Sequence, residues 1–164
     1  SSKGYIRLLH IFKRLCDEKY SVHLYILGIG PLRQEIEGYI RHNGLQDKVT
    51  MLGYQTNPYK YVSKCDLFIC ASFAEGFSTA ATEALIVGTP VCTVDVSGMK
   101  EMLGDHNEYG VVTKNNEKAL YEGIKLLLDN DELLSYYRKQ AYLRSSKFCI
   151  DETVNAVENM FLSL

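Results

Sequence analysis

Apolar positions along this chain fall into two alternating rhythms. Tyr5, Leu8, Leu9, Phe12 and Leu15 recur at helical spacing and predict an amphipathic helix over residues 4–18. "SVHLYILG" (21–28) is instead a short, nearly continuous apolar run, the pattern of a strand buried on both faces of a parallel sheet. It stops at "GIGP" (28–31), and "LRQEIEGYIRHNG" (32–44) returns to the helical period, closed by Asn43-Gly44 as a left-handed cap. "KVTMLG" (48–53) predicts the next strand. "TNPYKYVSK" (56–64) predicts a short helix beginning at Pro58, and "CDLFICAS" (65–72) another buried strand. A helix is expected over 78–87, capped by Gly88, with Pro90 where the chain enters the strand "VCTV" (91–94). "YGVVT" (109–113) is a last short strand. From Glu117 onward the pattern is helical and predicts three helices, 117–129, 131–147 and 151–164.

Strands alternating with helices at this spacing predict an α/β fold, a doubly wound parallel sheet of Rossmann-like type with C-terminal helices packed on it. A doubly wound domain usually begins with its central strand, whereas this sequence opens on a helix. The expectation is a first strand missing from the sheet. The gap would be bridged by pairing "HLYIL" with "LFICA", or filled by a strand from another molecule.

Composition narrows the function classes. The chain has 164 residues, 46% hydrophobic and 23% charged, which suits one domain with a real core. The net charge is -2 with acids and bases interspersed, so no basic face recommends nucleic acid as a partner. The longest apolar runs, such as "DLFICASF", are far too short to span a bilayer. The five cysteines form no C-x-x-C pair and sit inside apolar segments. They are expected to be reduced, buried thiols of a cytoplasmic protein. The four histidines are scattered, and none is assigned a catalytic role.

Ligands of open parallel sheets bind at the carboxyl ends of the strands. Four loops leave such ends here: residues 28–31, 53–57, 72–79 and 95–99. The third carries the most chemistry. Gly76 allows a tight turn, Ser78 or Thr79 can cap the following helix, and the amides around Phe77 to Thr79 then suit a phosphate. Glu75, just outside that anion site, would accept hydrogen bonds from sugar hydroxyls. Glu83 has no basic residue at i±3 or i±4, and its side chain leans toward the helix N-terminus, where a ribose could lie. The plainer readings stand beside these. Glu75 can be an acid stabilising a helix dipole by about 0.3–1 kcal/mol, and Glu83 a solvated charge. "GIGP" lacks the G-x-G-x-x-G of a dinucleotide site, and Asp95, Ser97 and Gly98 border either the cleft or a plain loop.

"EGFSTAATEA", followed by "GTPV" and "SGMKE", resembles the donor-binding C-terminal domain of family-4 retaining glycosyltransferases of the GT-B architecture, the group 1 glycosyl transferases. Glu75 and Glu83 match the family's E-x7-E signature. "SKG", "YILGIGP", "MLGY", "KCDLFICAS" and "EYGVVT" resemble further family motifs in the same order, so the resemblance runs over nearly the whole chain. It implies that residues 1–164 are a nucleotide-sugar donor-binding domain without its N-terminal acceptor domain. Glu75 would hold donor-sugar hydroxyls and Lys3 would neutralise the diphosphate, the two together acting in catalysis. Gly76, Phe77 and Ser78 would touch sugar and phosphate through their amides, with Thr79 against the phosphates. Glu83 would accept the ribose hydroxyls, Gly28 would let the backbone approach the ligand, and Gly53 and Tyr54 would line the base pocket. The resemblance implies no metal and no cofactor, only a nucleoside diphosphate sugar as co-substrate. The sugar, a hexosyl or N-acetylhexosaminyl group from a UDP sugar, would pass to a saccharide or lipid-linked acceptor in polysaccharide or cell-envelope synthesis. The full protein would be cytoplasmic and compatible with peripheral association at the inner face of the plasma membrane. Two departures are present. The arginine that the family places a few residues before the lysine lies ahead of this sequence, and Ser78 stands where many members have proline. A non-catalytic nucleotide-sugar-binding module and a nucleotide-sugar epimerase on the same fold are the alternatives.

Overall fold

The computed structural model describes residues 3–76 and 78–148, so Phe77, Cys149 and the expected helix 151–164 lie outside the described residues. The observed order is α1 (Tyr5–Asp17), β1 (Leu24–Leu27), α2 (Arg33–His42), β2 (Val49–Gly53), α3 (Tyr59–Val62), β3 (Phe68–Cys70), α4 (Thr79–Ile86), β4 (Val91–Val94), α5 (Met99–Leu103), β5 (Val111–Thr113), α6 (Glu117–Leu128) and α7 (Asp131–Ser145), closed by a 3₁₀ turn at Ser146–Phe148. Each helix and strand expected within these residues is present, although the ladders are shorter than the apolar runs. Only three residues of 65–72 pair as β3. The element not foreseen is α5, where the sequence suggests a loop. Its five residues, between Gly98 and Gly104, are too few to show a helical period.

All strand pairs are parallel. They form two sheets, β1-β2 and β3-β4-β5. The expected pairing of "HLYIL" with "LFICA" is not made, because among the described residues no ladder joins β1 to β3. Side chains hold the halves together instead. Leu9, Phe12 and Cys16 of α1 pack with Ile26 and Val49 of the first sheet. Leu8, Ile11 and Leu15 pack with Ala71, Cys92 and Val94 of the second. The periodicity of α1 thus supplies two apolar stripes, one for each sheet.

The remaining core locks α4 in place. Ala81, Ala84 and Leu85 are fully buried with Val91, Met99, Met102 and Leu103. The two alanines let the helix approach the sheet closely, so its N-terminus is held rigidly at the strand ends. Asn116 caps α6 and Asn130 caps α7, each accepting an amide of the first turn. Arg144 of α7 donates to the carbonyls of Glu101 and Met102 in the last turn of α5. The Cys16, Cys65, Cys70 and Cys92 thiols are free, Cys65 being half-buried and the others buried. Burial pushes the Cys92 thiol up to about 12, which keeps it protonated and unreactive.

Candidate functional site

The loops after β1, β2 and β3 gather at one end of the molecule, where the first turn of α1 meets them. Lys3 and Glu75, 72 positions apart, lie side by side there. The ammonium donates to both carboxylate oxygens, at 2.8 and 3.1 Å. Glu75 also accepts from the Ser72 hydroxyl at 2.6 Å. Burial pushes the Glu75 carboxyl up, but the Lys3 and Ser72 bonds together outweigh it and hold the group below the usual carboxylate range. Lys3 is held protonated, chiefly by its hydrogen bond to Glu75.

Ser78 is the N-cap of α4: its side chain accepts from the Ala81 amide, and Thr79 is the first helical residue. Both candidates named from the sequence are therefore placed, with Ser78 as the cap. Cap geometry leaves the amides of Thr79 and Ala80 without an intrahelical acceptor, at the positive end of the helix. Gly76 needs no left-handed backbone, and among the described residues a Cβ there would meet nothing within 4 Å. The tight-turn reason for this glycine is thus not the one that applies; the space beside it is open. Glu83 is half-buried on α4, and its carboxylate has no hydrogen-bond or ion-pair partner among the described residues.

Next to Lys3 a cavity of about 250 Å³ opens between the β1–α2 loop and the end of β2. Tyr5, Ile26, Ile29, Leu32 and Met51 give it apolar walls, and Gly28, Gly30 and Gly53 bring backbone to its surface. The Gly28 amide donates to the Gly53 carbonyl at 2.7 Å, which fixes the two loops against each other. Both glycines are left-handed, at φ 106 and φ 65, so a side chain at either would strain the junction. Tyr54 is not part of the lining and is 70% exposed. The loop after β4 is occupied structurally: Asp95 pairs with Lys100 at 2.6 Å, and Gly98 starts α5. Among the described residues no three His, Cys, Asp or Glu side chains gather as a metal site.

Sequence reasoning missed two residues here, Arg7 and Asn115. Arg7 looks like an ordinary helix cation, and Asn115 lies in a polar loop 108 positions away; no local motif joins them, yet they hydrogen-bond at 2.8 Å.

A family model described as glycosyl transferases group 1 matches residues 1–144. The chain belongs to the group 1 glycosyl transferases. A curated relative, the N-acetylgalactosamine-N,N'-diacetylbacillosaminyl-diphospho-undecaprenol 4-alpha-N-acetylgalactosaminyltransferase of Campylobacter jejuni, is 37% identical over 148 residues, covering 89% of this chain and 40% of the relative. The chain thus spans well under half of that protein's length. Two solved structures share the fold. Anabaena HepE in complex with UDP has a TM-score of 0.86 at 20% identity, over 99% of this chain and 46% of its own. A mutant of S. aureus TarM, in complex with Fondaparinux, alpha-GlcNAc-glycerol and UDP, has a TM-score of 0.86 at 23% identity, over 98% of this chain and 33% of its own. This group 1 domain is therefore α/β with open parallel sheets and C-terminal helices, as in the GT-B glycosyltransferases. Among its described residues no helix is long and apolar enough to cross a membrane.

The geometry gives a prediction of unusual sign. A phosphate taken by Lys3 must displace Glu75 or accept its repulsion. If the site takes a nucleoside diphosphate, as proposed below, Glu75→Gln should tighten UDP binding by about 1.5–5-fold, the scale of a partly exposed ion pair, as calorimetry would record. A weaker or unchanged affinity would show that Lys3 does not change partners.

Proposed function

We propose that this chain is the donor-binding domain of a retaining glycosyltransferase that moves a hexosyl or N-acetylhexosaminyl group from a UDP sugar to a saccharide or lipid-linked acceptor. The observation that carries this reading is the meeting of Lys3 and Glu75, at 2.8 Å, beside the capped N-terminus of α4. A cation paired with a carboxylate, a helix dipole just after it in the chain, a second carboxylate on that helix, unpartnered among the described residues, and an apolar cavity beside the cation support a ligand with a diphosphate flanked by hydroxylated sugars.

Each part of the donor has a place in this reading. The base enters the apolar cavity and meets the backbone of Gly53. The diphosphate lies between Lys3 and the amides of Thr79 and Ala80, with Gly28 letting the loop come close. The ribose hydroxyls donate to Glu83. The transferred sugar lies over Gly76 and the amides near Ser78, with its hydroxyls on Glu75. As the glycosidic bond breaks, negative charge grows on the leaving diphosphate. Lys3 and the α4 dipole meet that charge already oriented, so little reorganisation accompanies the step. We assign this stabilisation to the protein rather than to a bound metal.

The acceptor side belongs to the length of the relatives that this chain does not span. The Campylobacter relative's name describes transfer onto a diphospho-undecaprenol-linked sugar, which supports a lipid-linked acceptor, and a Rhizobium meliloti relative is named for lipopolysaccharide core biosynthesis, which supports envelope polysaccharide synthesis as the setting. The active site lies in a cleft between two domains, so the chain alone binds donor without turnover.

Titration of the chain with UDP, GDP, UDP-glucose and UDP-galactose tests the reading. Saturable binding of the uridine series supports it, whereas preference for GDP or indifference to all four contradicts it. Acceptor-dependent product formation by the full-length enzyme separates a transferase from an epimerase or a sensor.

A further inference from the structure

Three consecutive carbonyls lead from the end of β3 toward Glu75, and side chains from two distant elements hold all of them. Arg7 Nε donates to the Ala71 carbonyl at 3.1 Å, and Nη2 donates to the same oxygen. Nη2 also donates to the Ser72 carbonyl at 2.9 Å. Asn115 Nδ2 donates to the Phe73 carbonyl at 3.1 Å, while Asn115 Oδ1 accepts from Arg7 Nη1 at 2.8 Å. The guanidinium lies 4.1 Å from the Phe73 ring centroid. Arg7 is 6% exposed, and Ala71 and Ser72 are 4% and 2% exposed. Buried carbonyls need donors, and a planar fork of N–H groups serves several at once where an ammonium cannot.

Arg7 lies in the first turn of α1, four residues after Lys3 and just past the left-handed Gly4, and Ser72, whose carbonyl it grips, donates its hydroxyl to Glu75. One side chain thereby ties the helix that directly follows the cation to the segment that carries the carboxylate. We propose that Arg7, braced by Asn115, is a positioning residue that sets the separation of Lys3 and Glu75 at the mouth of the site. It touches no ligand itself. Its importance for transfer rests on the donor-site reading above, but the positioning claim does not.

The test is the titration of the Glu75 carboxyl carbon by NMR in the chain, for the unaltered protein, Arg7→Lys and Asn115→Ala. Arg7→Lys keeps the charge and loses the fork; Asn115→Ala alters an exposed loop side chain and keeps α1 intact. The account expects Glu75 to titrate below the ordinary range in the unaltered chain. In both variants its midpoint should rise by about half a unit or more, as weaker bonds to the charged form require, with the amide spectrum otherwise conserved. An unmoved midpoint in Asn115→Ala, or in a folded Arg7→Lys, overturns the proposal. Because this readout needs no ligand, it is separable from the donor reading. A shifted midpoint in a chain that binds no nucleotide would leave Arg7 as the positioning residue and remove the nucleotide.

Discussion

Glu83→Ala lowers the affinity of the chain for UDP by about 1.5–3 kcal/mol, roughly 10–150-fold, the loss of hydrogen bonds to a charged acceptor. The prediction follows from an absence of competing uses. The Glu83 carboxylate has no partner among the described residues, while its helix is pinned by buried Ala81, Ala84 and Leu85. Alanine is the better helix former, so the variant should be at least as stable as the parent. Lost binding with retained stability separates a ligand role from a structural one. A Glu83→Ala chain that binds UDP as tightly as the parent would place the ribose elsewhere.

Gly4→Ala should be strongly destabilising. Gly4 is left-handed at φ 66, and a Cβ there would lie 1.9 Å from the Ala71 carbonyl oxygen. The obstacle is backbone, so it cannot rotate away, and the same oxygen is the one that Arg7 grips. Left-handed strain and overpacking together cost about 2–5 kcal/mol. Urea denaturation would register this as a lower midpoint, and thermal melting as a fall of about 2–4 °C per kcal/mol. UDP affinity should fall too, because Gly4 joins Lys3 to α1. Gly38→Ala, in α2 with nothing within 4 Å of the added carbon, is the matched control. It should be neutral or stabilising by up to about 1 kcal/mol.

The contrast between these two glycines shows where sequence reasoning reached its limit. Gly38 and Gly4 look alike in the sequence; only the approach of β3 to the start of α1 tells them apart. The alternating apolar runs were enough for the α/β class, since strand and helix periods differ so strongly. The split into two sheets was not legible, because β1 and β3 have the apolar character of paired strands whether or not they pair. At the site, Glu75, Ser78, Thr79 and Glu83 lie within nine residues, and helix geometry relates them without any tertiary knowledge. Lys3 was placed only by resemblance. Its 2.8 Å contact with Glu75 spans 72 positions and needs the whole fold. Arg7 and Asn115 left no local signal at all. Gly53 and Tyr54 were named together for a base pocket lined largely by backbone; of the two, only Gly53 borders the cavity beside Lys3.

The central claim is that one cleft holds base, diphosphate and ribose between the β1–α2 loop, Lys3 and α4. A crystal structure of the chain with UDP tests it most directly. The account predicts the base in the cavity beside Gly53, the diphosphate at the Thr79 and Ala80 amides, and ribose hydroxyls on Glu83. It also predicts Lys3 on phosphate and no longer on Glu75. UDP bound away from α4, with the Lys3–Glu75 pair intact, would contradict it.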